Sequence, residues 1–227
     1  MSDKTHDKII KMAANENLAP IGMFQKGQSR CWLDDNGWFL IQVEFQPSSW
    51  SKGAYLNVGI SFLWDKTEAL NETLSFDVGY REKEHVEFKG DEEEFYKEMV
   101  GMVVYARDKV ILFRQYNDFD FCKQKLKEFA DERNSLWCNW DMAMFCFLTK
   151  DNGNGKKYIK RIVENNNQET TGIDWIDKMT IKSKELLMTE DDLACFVLNS
   201  IHERRRNFSN KSSFKKLKNW QGIYPGS

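Results

Sequence analysis

The segment Gln46-Pro47-Ser48-Ser49-Trp50-Ser51-Lys52-Gly53, followed by Asn57 and Gly59, sets one large aromatic among small polar groups. Such a connection suits recognition when flanking strands hold it, because binding groups concentrate on loops that a rigid scaffold positions. Trp50 would supply apolar area, and Gln46, Ser48 and Asn57 hydrogen-bonding groups on one side of a sheet. Arg30 and Trp32, from the preceding strand, would share that surface. A plain turn with an anchored tryptophan is the competing reading, and the residues leave both open.

Covalent and metal chemistry find no comparable set. His6, His85 and His202 are far apart, and none has a second histidine at i+4 or a cysteine at ligand spacing. Cys138 and Cys146 stand eight apart, which matches no zinc pair. Asp151 to Lys157 has the look of a calcium or phosphate loop. It fails as either, because Lys150 falls where the first calcium-binding aspartate belongs and Walker spacing is absent. No Gly-x-Ser-x-Gly elbow occurs. The expectation is no catalytic residue, no metal and no cofactor. The five cysteines are odd in number and most have apolar neighbours, so they read as free buried thiols.

Charge is unevenly spread. Residues 1–150 hold 19 Lys+Arg and 25 Asp+Glu, whereas 151–227 hold 14 and 10. Arg204, Arg205, Arg206, Lys215 and Lys216 make the end basic, as a phosphate-binding surface is. Basic residues also close a helix favourably, and Phe214, Leu217 and Trp220 suggest a short amphipathic segment docking on its own protein. The balance is against nucleic acid.

These residues need elements to hold them. With 227 residues, 41% hydrophobic and 14% aromatic, and a formal net charge of -2, the chain is neither disordered nor fibrous. Its charged N-terminus lacks a signal-like apolar run, and no segment has the ~20 apolar residues of a membrane helix, so a cytoplasmic location is expected. Apolar residues at helical spacing over 3–18 predict an opening helix. Asp35-Asn36-Gly37 then reads as a hairpin turn between two extended runs. Phe39, Ile41, Val43 and Phe45 alternate with Leu40, Gln42, Glu44 and Gln46, and similar alternation recurs over 55–64 and 74–81, with an edge near Val86 to Phe88. Period two with polar alternates predicts an antiparallel sheet, half-solvated on its polar face. Asp91 caps a long amphipathic helix whose stripe runs from Phe95 to Phe113. Further helices are expected near 119–129, 135–149 and 156–164, with Asp151 to Gly155 as a flexible turn and 165–171 as a loop. Thr189 to Asp192 reads as a capping box ahead of a last helix.

Gly22-Met-Phe24-x-Lys26-Gly27, the aromatic strand Cys31-Trp32-Leu33, Gln46-x-Ser48-Ser49-Trp50-Ser51 and Tyr55-Leu-Asn57-Val-Gly59-Ile60 occur in that order. This set resembles the bacterial domain-of-unknown-function family numbered forty-three-oh-four, over about residues 5–130. The resemblance implies a small bacterial α+β protein with no established activity, so no catalytic residue carries over.

The sequence thus predicts an α+β fold. An antiparallel sheet of about four or five strands covered by helices occupies 1–115, and a helical subdomain packed against it, with a basic tail, occupies 116–227. The leading functional expectation is a non-enzymatic protein-interaction module, of the kind that neutralises a toxin or serves a defence system. A small-ligand pocket near Trp50 and Asn57 is the first alternative, and nucleic-acid contact through the basic tail the second.

Overall fold

The computed structural model describes residues 4–66, 73–166, 171–190, 192–217 and 220–222. Five strands, β1 (Phe24–Gln25), β2 (Cys31–Asp35), β3 (Phe39–Gln46), β4 (Gly53–Phe62) and β5 (Val78–Glu87), form one antiparallel sheet in chain order, a simple meander. Cys31 lies opposite Glu44 and Asp35 opposite Leu40 across the first hairpin. Only glycine bends backward there. Gly37 takes φ 83°, and its N–H donates to Asp35 Oδ1 at 3.0 Å.

Two helices accompany the sheet. α1 (Thr5–Leu18) packs on α2 (Glu92–Phe113), and α2 lies against β3 and β5. Asp91 caps α2 by accepting the N–H groups of Glu93 and Glu94, both at 3.0 Å, and Glu92 to Glu94 place anions at the positive end of the helix dipole. Phe95, Met99, Met102, Val103, Ala106 and Val110 form the buried stripe. They meet the face of Phe39, Ile41, Val43 and Phe45, all of which are fully buried.

The opposite face departs from expectation. It is not half-solvated at its centre, for Leu33, Leu40, Gln42, Asn57 and Ser61 are all buried. Residues 75–77 are the reason within this part of the chain: they cross the face instead of extending a strand. Gln42 Nε2 donates to Ser75 O at 2.6 Å, and a Cβ on Gly59 would stand 2.8 Å from the Phe76 ring. The strand expected over 74–81 therefore starts at Val78, and it runs on through the edge expected near Val86. Gly79, at φ 76°, lies opposite Gly59 and turns the chain into the ladder.

The second half is helical: α3 (Phe119–Arg133), α4 (Leu136–Leu148), α5 (Asn152–Asn165), α6 (Asp174–Met188) and α7 (Leu193–Ser209). The first four pack one on the next in chain order. Asp118 and Ser135 cap α3 and α4. Asp151 to Gly155 is no flexible turn. Asp151 caps α5, accepting from Asn154 N and holding its side-chain amide, and the glycines lie inside the first turn. Gly155 is required there because a Cβ would come within 2.3 Å of the Phe147 ring. The last helix is capped by Asp192, whose carboxylate accepts from Ala194 N and Cys195 N, while Thr189 closes α6.

The chain divides into two compact units. One comprises 1–61, 75–115 and 209–219; the other comprises 62–74, 116–208 and 220–227. In the second, the stretch after β4 is deeply embedded. Trp64 Nε1 donates to Asp141 Oδ1 at 2.8 Å, Trp140 Nε1 donates to Asp65 O at 2.8 Å, and Lys182 pairs with Asp65. Lys66, with 1% of its side chain exposed, stands 3.9 Å from Asp141, with 6%. Arg204 Nη1 donates to the carbonyls of Phe62 and Trp64, and its Nη2 to that of Thr73.

Candidate functional site

β3 and β4 are adjacent, and their connection carries Trp50. Pro47 lacks an N–H and ends the ladder on that side. Ser48 Oγ accepts the Trp50 N–H at 3.1 Å, which folds the loop back. Gly53 closes it at φ 139°, where a Cβ would meet Val86 O at 2.0 Å, so no other residue fits. Between these fixed ends Trp50 is 93% exposed.

Beside the loop lies a closed polar network. Asn57, itself fully buried, donates through Nδ2 to Glu44 Oε2 at 2.8 Å and to Gln46 Oε1 at 2.9 Å. Its Oδ1 accepts from Arg81 Nε at 2.9 Å, and Arg81 Nη2 donates to Gln46 Oε1, also at 2.9 Å. The guanidinium sits 4.1 Å over the Tyr55 ring, a cation–π stack, and 5.7 Å from the ring of the half-exposed Tyr80. Arg81 is thus locked in orientation while remaining exposed. Two of its five N–H donors are used, which leaves the others for an incoming acceptor.

Of the expected site residues, Gln46, Ser48, Trp50 and Asn57 are brought together at this end of the sheet. Arg30 has a supporting place. Its Nε donates to Asp7 Oδ1 at 2.7 Å and its Nη1 to Gly53 O at 2.9 Å, so it ties α1 to the far end of the Trp50 loop. Burial pushes the Asp7 carboxyl up, but hydrogen bonds from Lys11 and Arg30, aided by their charges, hold it below the usual range. Trp32 must be removed from the surface. It pairs with Val43 on the opposite face, is fully buried, and packs edge-on against Phe45 at 5.7 Å. Arg81 and Tyr55 take its place in the cluster. Alternation within each strand sets Tyr55 on the same side as Asn57, and Arg81 lies opposite Asn57 across the ladder.

No family model, curated protein or solved structure matches this chain.

The basic cluster does not form one surface. Arg204 and Arg205 are buried, the first donating to the carbonyls of Phe62, Trp64 and Thr73 and the second 5.9 Å from the Trp220 ring. Arg206, Lys215 and Lys216 are exposed, with the two lysines in the other unit from the arginine. Phe214 is buried and lies under Lys26. Among the described residues no group of three or more His, Cys, Asp and Glu could hold a metal ion, and no helix is long and apolar enough to cross a membrane. Cavities of about 280, 550 and 220 Å³ occur at α7, between β5 and α2, and between α6 and α7. None of the three is lined by Trp50 or Asn57.

Not all thiols are buried as expected. Cys31, Cys122 and Cys146 are buried, Cys138 is partly covered and Cys195 is exposed. Burial pushes the Cys31 and Cys146 thiols up to about 12, and Cys122 further still. A thiol-reactive disulfide reagent at pH 8 should label Cys195 rapidly and Cys138 slowly, leaving the other three until the chain is unfolded. Fast labelling of all five in the native protein would show that these interiors are open.

Proposed function

We propose that this chain is a non-enzymatic protein-interaction module of the bacterial cytoplasm, akin to the family it resembles, and that it binds its partner through Trp50 and the Arg81–Tyr55 stack. The observation that carries this reading is the 93% exposure of Trp50 on a loop fixed at both ends. A free indole leaves a large apolar area in water, and Trp, Tyr and Arg are the residues that dominate binding energy at protein interfaces. Asn57, Gln46 and Glu44 hold the arginine before a partner arrives, so little side-chain entropy remains to be lost on binding. The complementary surface is an apolar socket for the indole beside a carboxylate for the guanidinium.

Trp50→Ala should weaken a purified partner by about 30-fold or more, the ~2 kcal/mol expected of an interface hot spot. Its melting temperature should stay within a degree or two of the parent, as suits an exposed site. Affinity capture from the native lysate at moderate salt, beside the Trp50→Ala chain, identifies the partner, and calorimetric titration measures the loss. A partner held equally by both chains, or no stoichiometric partner at all, would overturn the reading.

A further inference from the structure

Gly101 lies in the middle of α2, where glycine costs helix stability relative to alanine. Nothing lies within 4 Å of the Cβ it lacks, so no neighbour demands its small size. Its absence of a side chain instead opens a groove of about 550 Å³ between α2 and the edge strand β5. Met102 and Val86 provide apolar lining, and Tyr105 stands at one end, pinned by donating its hydroxyl proton to Glu82 Oε2 at 2.9 Å.

Glu84 and Glu98 line the groove from opposite elements, both exposed. Neither carboxylate forms a hydrogen bond or ion pair among the described residues. Lys83, the one lysine of the lining, stands over the Tyr105 ring, 4.3 Å from its centroid, which leaves two carboxylates against one ammonium. The uncompensated charge is therefore negative over an apolar floor. That pairing suits a lysine or arginine side chain, whose methylenes cover apolar surface while the head reaches carboxylates at the rim.

The strand edge itself is poorly suited to an added strand. β5 breaks register twice against β4 and carries Arg81, Glu82, Lys83, Glu84 and Glu87, devices that blunt an edge against pairing, including pairing with a second copy. A guest enters by side chains.

We infer that the β5–α2 groove receives a basic and apolar segment of the partner protein, with a lysine or arginine seated between Glu84 and Glu98 and an apolar neighbour over Met102. This rests on the reading that the chain acts by binding a protein. His85, which lines the groove, also packs its ring 4.9 Å from that of Tyr55, so the groove adjoins the Arg81–Tyr55 stack.

The probe is a fluorescein-labelled fourteen-residue peptide carrying lysine and leucine at i, i+4 spacing, titrated by anisotropy, beside an analogue with glutamate in place of lysine. The full chain should bind the lysine peptide and not the glutamate one. Gly101→Leu, which fills the groove and favours the helix, should weaken binding at least tenfold with an unchanged or higher melting temperature. Glu84→Gln/Glu98→Gln should do the same without altering the groove's shape. Failure of the lysine peptide to bind, equal binding of the glutamate peptide, or indifference to either variant overturns the assignment. Should Trp50→Ala abolish partner capture while Gly101→Leu changes nothing, the groove falls and the interaction reading stands; should both variants hold the partner as the parent does, both fall.

Discussion

Asp141→Asn lowers the unfolding free energy of the protein by about 3–5 kcal/mol, the scale expected when one charge of a buried ion pair is removed. The substitution keeps the volume and an oxygen to accept from Trp64 Nε1, so what it removes is the charge opposite Lys66. Lys66 also lies within 5.8 Å of the Trp137 ring, and an indole face compensates an ammonium only in part. Denaturant unfolding with a common slope measures the effect. Lys66→Met placed on top of Asp141→Asn should recover most of the loss, because an apolar residue of similar length replaces the buried cation whose ion pair with Asp141 has been broken. A single-mutant loss under 1 kcal/mol would mean that water reaches Lys66.

Arg204→Met should cost about 3 kcal/mol or more. The carbonyls of Phe62, Trp64 and Thr73 lose this donor together, the first two of these bonds buried, and an unmade bond to a buried acceptor costs ~1–3 kcal/mol, though not additively. Arg204→Lys should rescue little, since an ammonium is a single point and cannot span the acceptors that the planar fork reaches. Hydrogen exchange gives the local signature: in Arg204→Met the amides of 62–66 should exchange at least tenfold faster before the rest of the helical unit does. Unchanged protection there would show that the segment is held by its tryptophans and not by the arginine.

Both residues show where sequence reasoning stops. Arg204-Arg205-Arg206 looks like a surface because charge usually is one, and the carbonyls that hold Arg204 lie more than a hundred positions earlier. The strands at 39–46 and 53–62 were legible because side-chain direction in a strand alternates with every residue, whatever lies beyond it. Asp91 was legible for a like reason: a cap acts within three residues of itself. α6 drew no expectation. Its buried positions include Thr180 and Ser183 while Ile181 and Met188 face outward, so polar and apolar residues stand in places that blur the helical period. Asp151 to Gly155 misled because asparagine and glycine favour turns, and the Phe147 ring that requires Gly155 is invisible to local propensity. In the candidate site, alternation placed Gln46, Asn57, Tyr55 and Arg81 on a common side. It could not tell that Trp32 was on the other, because a strand's parity is fixed only by its register with the next.

The two units trade segments along the chain, with 62–74 in the helical one and 209–219 in the sheet-bearing one. On the ribosome this imposes an order. The sheet-bearing unit has nearly all its residues by Gln115, yet its last piece emerges only after the whole of α3 to α7 has been made. At about 5–20 residues per second of synthesis that is a wait of roughly 5–20 s. Through that interval Phe214 has not arrived under Lys26, and the incomplete unit is what chaperones and proteases would meet.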